Sequence, residues 1–93
     1  MKIYQSRIFE NKAKKFSGPE KKALDDEIKK IAENLLIGEE KKGDLRGVHV
    51  HKFKIKSSQY LLSYRMTEAG LELIMIGPHE NYYRELESYL KKR

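Results

Sequence analysis

The chain has 93 residues, of which 39% are apolar and 37% are charged, and its formal net charge is +6. This length predicts a single domain over residues 1–93, and the apolar content is too high for a disordered chain. The absence of cysteine excludes disulfides and cysteine-based zinc sites. Neither a membrane-spanning apolar run nor a secretory signal is visible, so we expect a soluble, cytoplasmic protein.

The N-terminal part of the chain predicts a strand followed by two helices. Residues 2–8 indicate a short strand, and apolar residues at helical spacing over residues 9–16 indicate a short helix. Ser17 and Glu20 have the spacing of a capping box, which predicts the start of a second helix, and Gly38 is its expected end. The apolar face of this helix consists of four residues spaced three or four apart, namely Leu24, Ile28, Ile31 and Leu35.

The C-terminal half predicts three strands and a final helix. Turn residues separate three strand-like segments, at residues 48–56, 59–67 and 71–76, and residues 79–92 have the apolar spacing of a helix. The resulting order is β-α-α-β-β-β-α. It predicts an α+β fold in which an antiparallel sheet packs against an N-terminal helical hairpin, with a C-terminal helix after the sheet.

The first of these three strands predicts one packed face and one basic face. Alternate side chains of a strand point to opposite faces. Three lysines share one parity and alternate with apolar residues: Lys52, Lys54 and Lys56. Val48 and Val50 have the same parity as the lysines, which predicts a β-bulge or sharp twist near His51.

The positive charge is concentrated in one segment. Residues 41–65 contain seven basic residues and one acidic residue, whereas the remainder contains thirteen of each. A local excess of this kind attracts phosphate backbones, so we expect a polyanionic partner. The alternative is a lysine-rich edge that only keeps the sheet in solution.

The basic residues and their neighbours have the chemistry needed for RNA cleavage without a metal. A lysine with a lowered pKa can remove the proton of the ribose 2′-OH, arginine can hold the phosphate, and histidine or tyrosine can donate a proton or stack on a base. The candidate catalytic residues are Lys52, Lys54, Arg65, His79 and Tyr83, and the candidate RNA-binding residues are Arg46, His51, Lys56 and Tyr82. His49 and His51 have no evident third ligand, so we expect neither a metal nor a cofactor.

Several short motifs resemble RelE/ParE-superfamily toxins, and the RelE-like branch in particular. The central sheet of these toxins is similar to residues 45–47 (LRG), 52–60 (KFKIKSSQY) and 62–65 (LSYR). Residues 76–79 (IGPH), together with Tyr83, resemble their C-terminal segment. The order of elements also agrees, so the likeness covers nearly the whole chain.

The resemblance implies a ribosome-dependent mRNA endonuclease, or mRNA interferase, that is blocked by a cognate antitoxin protein. In such toxins the 2′-OH attacks the phosphate and leaves a 2′,3′-cyclic phosphate and a 5′-OH. By position, Lys52 and Lys54 match the lysines of the RelE-like branch, one of them a candidate base. Arg46 matches an RNA-contacting loop residue, Tyr83 a tyrosine that stacks on the substrate base, and His79 a position held by arginine or a catalytic histidine.

One position departs from the RelE-like pattern. Leu61 stands where members often have a phosphate-stabilising arginine. Arg65 has the same strand parity and is either its replacement or a structural arginine of the sheet. Two other functions remain open: a ParE-like toxin that inhibits DNA gyrase, and an RNA- or ribosome-binding module without catalysis.

Overall fold

The computed structural model describes residues 1–92, which form one mixed β-sheet with helices on both faces. The elements are β1 (Ile3–Gln5), α1 (Arg7–Ala13), α2 (Gly18–Glu33), β2 (Glu39–Glu40), β3 (His49–Ile55), β4 (Ser58–Thr67), β5 (Gly70–Pro78) and α3 (Tyr82–Lys91). The strand order is β1-β5-β4-β3-β2. Strands β2 to β5 are antiparallel, and β1 adds a parallel edge beside β5. The predicted α+β class is confirmed, while the short strand β2 was not predicted.

The helical hairpin begins earlier and ends earlier than the sequence predicts. The Ser6 hydroxyl accepts a hydrogen bond from the Phe9 amide, which caps α1 and ends the first strand at Gln5. The capping box at the start of α2 is present as predicted. Asn34 is extended, so α2 ends before Gly38. That glycine instead lies against the ring of Tyr64, where a Cβ atom would stand 2.8 Å from the hydroxyl oxygen.

The predicted bulge near His51 is wrong. Strand β3 pairs with β4 in continuous register from His49 to Ile55, and the register shift lies between Ser63 and Tyr64 of β4. Val48 and Val50 have the parity of the lysines because α3 covers that face, so they belong to a second apolar cluster beneath it. A strand that is covered on both faces needs apolar residues of both parities.

Tyr82 fixes α3 to the sheet. Its side chain is buried, and its hydroxyl lies 2.8 Å from Ser63 Oγ and 2.7 Å from the Met75 carbonyl oxygen. Burial raises the pKa of this phenol well above its ordinary value, so it stays protonated. Leu86, one turn further along α3, is also fully buried. These two side chains hold the first half of α3 against the sheet.

A hydrogen bond between α2 and β3 joins the helical hairpin to the sheet face opposite α3. His51 Nε2 lies 2.7 Å from Glu27 Oε1, and Lys30 Nζ lies 2.9 Å from Glu27 Oε2. Burial alone would raise the pKa of Glu27, but the hydrogen bonds from His51 and Lys30 outweigh it and lower the pKa.

No helix in the described part of the chain is long and apolar enough to cross a bilayer.

Replacing Tyr82 with Phe should lower the free energy of unfolding by about 1–2 kcal/mol, because Ser63 and Met75 lose a buried hydrogen-bond partner. The measurement is urea unfolding at neutral pH. Tyr60→Phe is the control, since Tyr60 makes ring contacts with Phe16 and Phe53. Equal effects of the two variants would contradict the role of the Tyr82 hydroxyl.

Glu27 should make stability depend on pH. Because its folded-state pKa is lowered, its contribution is complete above the ordinary value of 4.5 and is lost as the pH falls through the folded-state pKa. Glu27→Gln should therefore be less stable than the wild type at neutral pH, and the difference should shrink toward about pH 3. A difference that stays constant over this range, measured by urea unfolding, would refute the role of the charge.

Candidate functional site

Lys52 and Lys54 point outward from the sheet beyond the cover of α3. Both side chains are exposed, and each stands on the same face as Val50, which α3 covers. Lys52 pairs with Leu61 of β4, which in turn pairs with Gly77 of β5. The face is therefore apolar at one end of β3 and basic at the other.

His79 lies at the same end of the sheet as Lys54. Lys54 pairs with Gln59, and the last pair of β4 and β5 joins Tyr60 to Pro78. His79 directly follows Pro78 and so lies just beyond this last pair. Strands β3 and β5 flank β4, so two strand spacings, about 10 Å, separate their backbones. Lys54, near the end of β3, and His79, just after β5, therefore lie at the same end of the sheet.

Tyr83 lies between His79 and Lys41, the residue that follows β2. Its half-buried ring meets the His79 ring edge-on, with 6.2 Å between centroids, and meets Tyr82 edge-on at 5.6 Å. Lys41 Nζ lies 5.0 Å from the centroid of the Tyr83 ring. The Lys41 amide donates to the Val48 carbonyl oxygen, which continues the β2–β3 pairing and brings this lysine to the face that α3 covers.

Glu39 is the acidic residue of this surface. Its Oε1 lies 2.6 Å from Lys41 Nζ. The hydrogen bond with Lys41 and the charges of Lys41 and Lys52 lower the pKa of Glu39, so it is ionised at neutral pH. The same hydrogen bond raises the pKa of Lys41 despite the partial burial of that side chain, and Tyr83 adds to the effect. We define the basic site as Lys41, Lys52, Lys54, His79 and Tyr83, with Glu39 at its edge.

Three of the predicted site residues lie elsewhere. Arg65 Nε lies 2.8 Å from Oε1 of Glu72, a buried carboxylate in the next strand, so Arg65 takes part in an ion pair within the sheet. His51 points to the opposite face, where it contacts Glu27 and is almost buried. Tyr82 is a core residue, and its ring is 2% exposed. None of these three side chains is positioned to meet a ligand at the basic site.

The two remaining predicted RNA-binding residues lie at opposite ends of β3. Arg46 is exposed and directly follows the helical turn Gly43–Leu45, before β3 begins. Lys56 is exposed in the turn between β3 and β4, with a positive φ of 57°. Lys56 is two residues from Lys54 and shares its end of the strand, whereas Arg46 stands near the other end.

Sequence analysis missed Lys41 and Glu39 as site residues. They are brought to the site by β2, which is only two residues long and has no periodic signal of its own. Leu61, at the position where the RelE-like pattern has arginine, is fully buried in the cluster under α3. This position is therefore part of the core and not of the basic site. Within residues 1–92, no three His, Cys, Asp or Glu side chains group as metal ligands.

Solved structures with a similar fold include the E. coli RelBE complex and the RelE toxin. A chain of the intact RelBE toxin–antitoxin complex is 19% identical, with a TM-score of 0.65 over 84% of this chain and 95% of that chain. The isolated RelE toxin is 17% identical, with a TM-score of 0.64 over 98% and 97%. A RelE double mutant in the free state is 18% identical, with a TM-score of 0.70 over 96% and 94%. At these identities the likeness establishes the fold alone.

Sequence comparison identifies the family. A search of curated proteins found no match to this chain. A family profile described as a ParE-like toxin of type II bacterial toxin–antitoxin systems matches residues 3–87, which is most of the chain. The match includes β1 to β5 and the first half of α3 and therefore spans the whole basic site. This chain belongs to the family of ParE-like toxins of type II bacterial toxin–antitoxin systems, and its fold is that of RelE.

Proposed function

We propose that this toxin is a ribosome-dependent mRNA endonuclease that cuts by attack of the ribose 2′-OH. The observation that supports the proposal is that His79 and Lys41 both contact the Tyr83 ring, on the sheet face that also carries the exposed Lys52 and Lys54. Lys52 and Lys54 come from β3, His79 follows β5, and Tyr83 belongs to the first turn of α3. Three separate elements thus supply cations, a proton donor and an aromatic ring to one surface, which suits a phosphodiester and its base.

The proposed reaction is an internal transfer at phosphorus. The 2′-oxygen forms a bond to phosphorus while the bond from phosphorus to the 5′-oxygen breaks. The proton of the 2′-OH passes to a base, and the departing 5′-oxygen receives a proton from an acid. The products are a 2′,3′-cyclic phosphate and a 5′-OH end, so no water is consumed in this step.

The side chains of the basic site divide these roles by position. Lys52 and Lys54 face the phosphate, where an ammonium group stabilises the negative charge of the transition state and a neutral amine serves as base. His79 is exposed at the end of β5 and serves as the proton donor. Tyr83 presents its half-buried ring for stacking on an RNA base. Arg46 lies outside the basic site, before β3, and contacts a different phosphate of the RNA backbone in this proposal.

A cognate antitoxin is the expected protein partner. The family is defined by type II toxin–antitoxin systems, and one similar structure is the intact E. coli RelBE complex. A protein that covers the basic site would keep mRNA from it. Acidic side chains suit that purpose because the segment 41–65 has a large positive excess.

Inhibition of DNA gyrase is the second candidate function, favoured by the ParE-like description of the family. The basic site favours the endonuclease, because inhibition by binding requires no proton donor beside a cluster of cations. The two functions differ in a direct assay. Inhibition of gyrase supercoiling by the purified toxin, without any cutting of ribosome-bound mRNA, would establish the alternative.

Changing Lys52 and Lys54 together to Ala should lower the rate of mRNA cleavage on programmed ribosomes by about 100-fold or more, because a cationic surface and a candidate base are both lost. The matched control is Lys22→Ala with Lys29→Ala, which removes two exposed lysines from α2 and the same charge. If the β3 double variant cuts mRNA at the rate of the control variant, the catalytic role of Lys52 and Lys54 is refuted.

Arg65→Met should affect stability and leave the chemistry intact. Loss of its bond to the buried Glu72 should lower the free energy of unfolding by roughly 1–3 kcal/mol. The cleavage rate per folded molecule should stay within about twofold of the wild type, since Arg65 lies about 13 Å along β4 from Leu61. Urea unfolding and ribosome cleavage are measured on the same preparation. A stable variant that fails to cut would return Arg65 to the catalytic set.

A further inference from the structure

Lys41 contacts other residues through both its ammonium group and its backbone. Its Nζ lies 2.6 Å from Glu39 Oε1 and 5.0 Å from the centroid of the Tyr83 ring, and its side chain is only 22% exposed. Its amide is also bonded to Val48. A long lysine side chain that is held at both its backbone and its ammonium group has lost most of its freedom, which is unusual for a surface lysine.

Two aromatic neighbours of the Tyr83 ring stand nearly perpendicular to it, and the ring also packs against the apolar cluster under α3. Tyr82 meets it edge-on and is itself fixed by hydrogen bonds to the sheet. His79 also meets it edge-on but is exposed and precedes α3. A cation near an aromatic ring is attracted to its π electrons, so the ammonium group of Lys41 supplies a further restraint on the ring.

Glu39 determines where that ammonium group lies. Its carboxylate lies 2.6 Å from Lys41 Nζ, and this hydrogen bond raises the pKa of Lys41. Glu39 pairs with Val50 in the β2–β3 ladder, so its backbone position is set by the sheet. The sheet, Glu39, Lys41 and Tyr83 therefore form a continuous series of contacts.

We propose that Lys41 is a positioning residue that holds the Tyr83 ring in the orientation that receives the RNA base. The proposal rests on the endonuclease function proposed above and extends it to a residue outside the set that the sequence indicates. Lys41 acts through Tyr83, whereas Lys52 and Lys54 act on the phosphate. Its removal should therefore slow the cleavage step itself, after mRNA and ribosome are bound.

Three variants separate positioning from charge. Lys41→Met removes the ammonium group and keeps the aliphatic chain, Lys41→Arg keeps a cation, and Lys42→Met removes the same charge one residue along at an exposed position. At saturating ribosomes, single-turnover cleavage by Lys41→Met should be roughly tenfold slower than wild type, and Lys41→Arg should recover most of the rate. Any loss that Lys42→Met shares with Lys41→Met is the loss of charge.

A second measurement does not depend on cleavage. The ring signals of Tyr83 in the NMR spectrum of the free protein should shift in Lys41→Met and in Glu39→Gln, and should stay in place in Lys42→Met. Glu39→Gln keeps Lys41 but releases its ammonium group, so it also serves if Lys41→Met folds poorly. Thermal unfolding of each variant checks the fold.

The outcomes distinguish the two proposals. If the wild type does not cut mRNA, the endonuclease function fails, while the NMR comparison still decides whether Lys41 restrains Tyr83. If the wild type cuts and folded Lys41→Met cuts at the same saturated rate, the positioning role is overturned. A loss shared equally by Lys41→Met and Lys42→Met also overturns it, because both variants lose the same charge. Slow cutting by Lys41→Met alone, with shifted Tyr83 signals and rescue by Lys41→Arg, supports it.

Discussion

The burial of Tyr82 is the interaction on which the rest of this surface depends. Its hydroxyl forms hydrogen bonds with Ser63 and Met75 in the sheet, and these bonds fix the start of α3 against β4 and β5. That position decides which part of β3 is core and which part is open. Val50 lies under the helix and is buried, whereas Lys52, on the same face, lies past its cover and is exposed. The next residue, Tyr83, is thereby placed at the border of the two regions.

The positive charges of the basic site come from lysines, and within residues 1–92 no arginine side chain is held beside them. Leu61 fills the position next to Lys52 with apolar volume, and Arg65 is paired with Glu72. In the proposed endonuclease, the positive groups of the basic site are then the ammonium groups of lysines, which bind a phosphate as point charges and not as planar forks. Such a surface places weaker geometric demands on the phosphate. Under the proposed function, orientation of the substrate must then come from another group, and this is the role that we assign to the Tyr83 ring.

The alternation of side chains along β3 predicts the exposed lysines, and it also indicates the packed position of His51. The exposed lysines of β3 were correctly placed on one face. The same alternation groups His51 with Phe53 and Ile55 on the packed face, but the expected bulge obscured this. The bond from Arg65 to Glu72 needed the β4–β5 register, and the contribution of Lys41 needed a two-residue strand. Local periodicity cannot reveal either, because both depend on pairing between strands.

The chemistry of the cut ends tests the central claim most directly. Transcripts are collected after a short pulse of toxin expression in the absence of antitoxin, and their new 5′ ends are mapped and typed. We expect new ends inside translated regions that carry a 5′-OH, with upstream fragments that end in a 2′,3′-cyclic phosphate. Growth arrest without new ends, or ends that carry a 5′-phosphate, would contradict cleavage by the basic site.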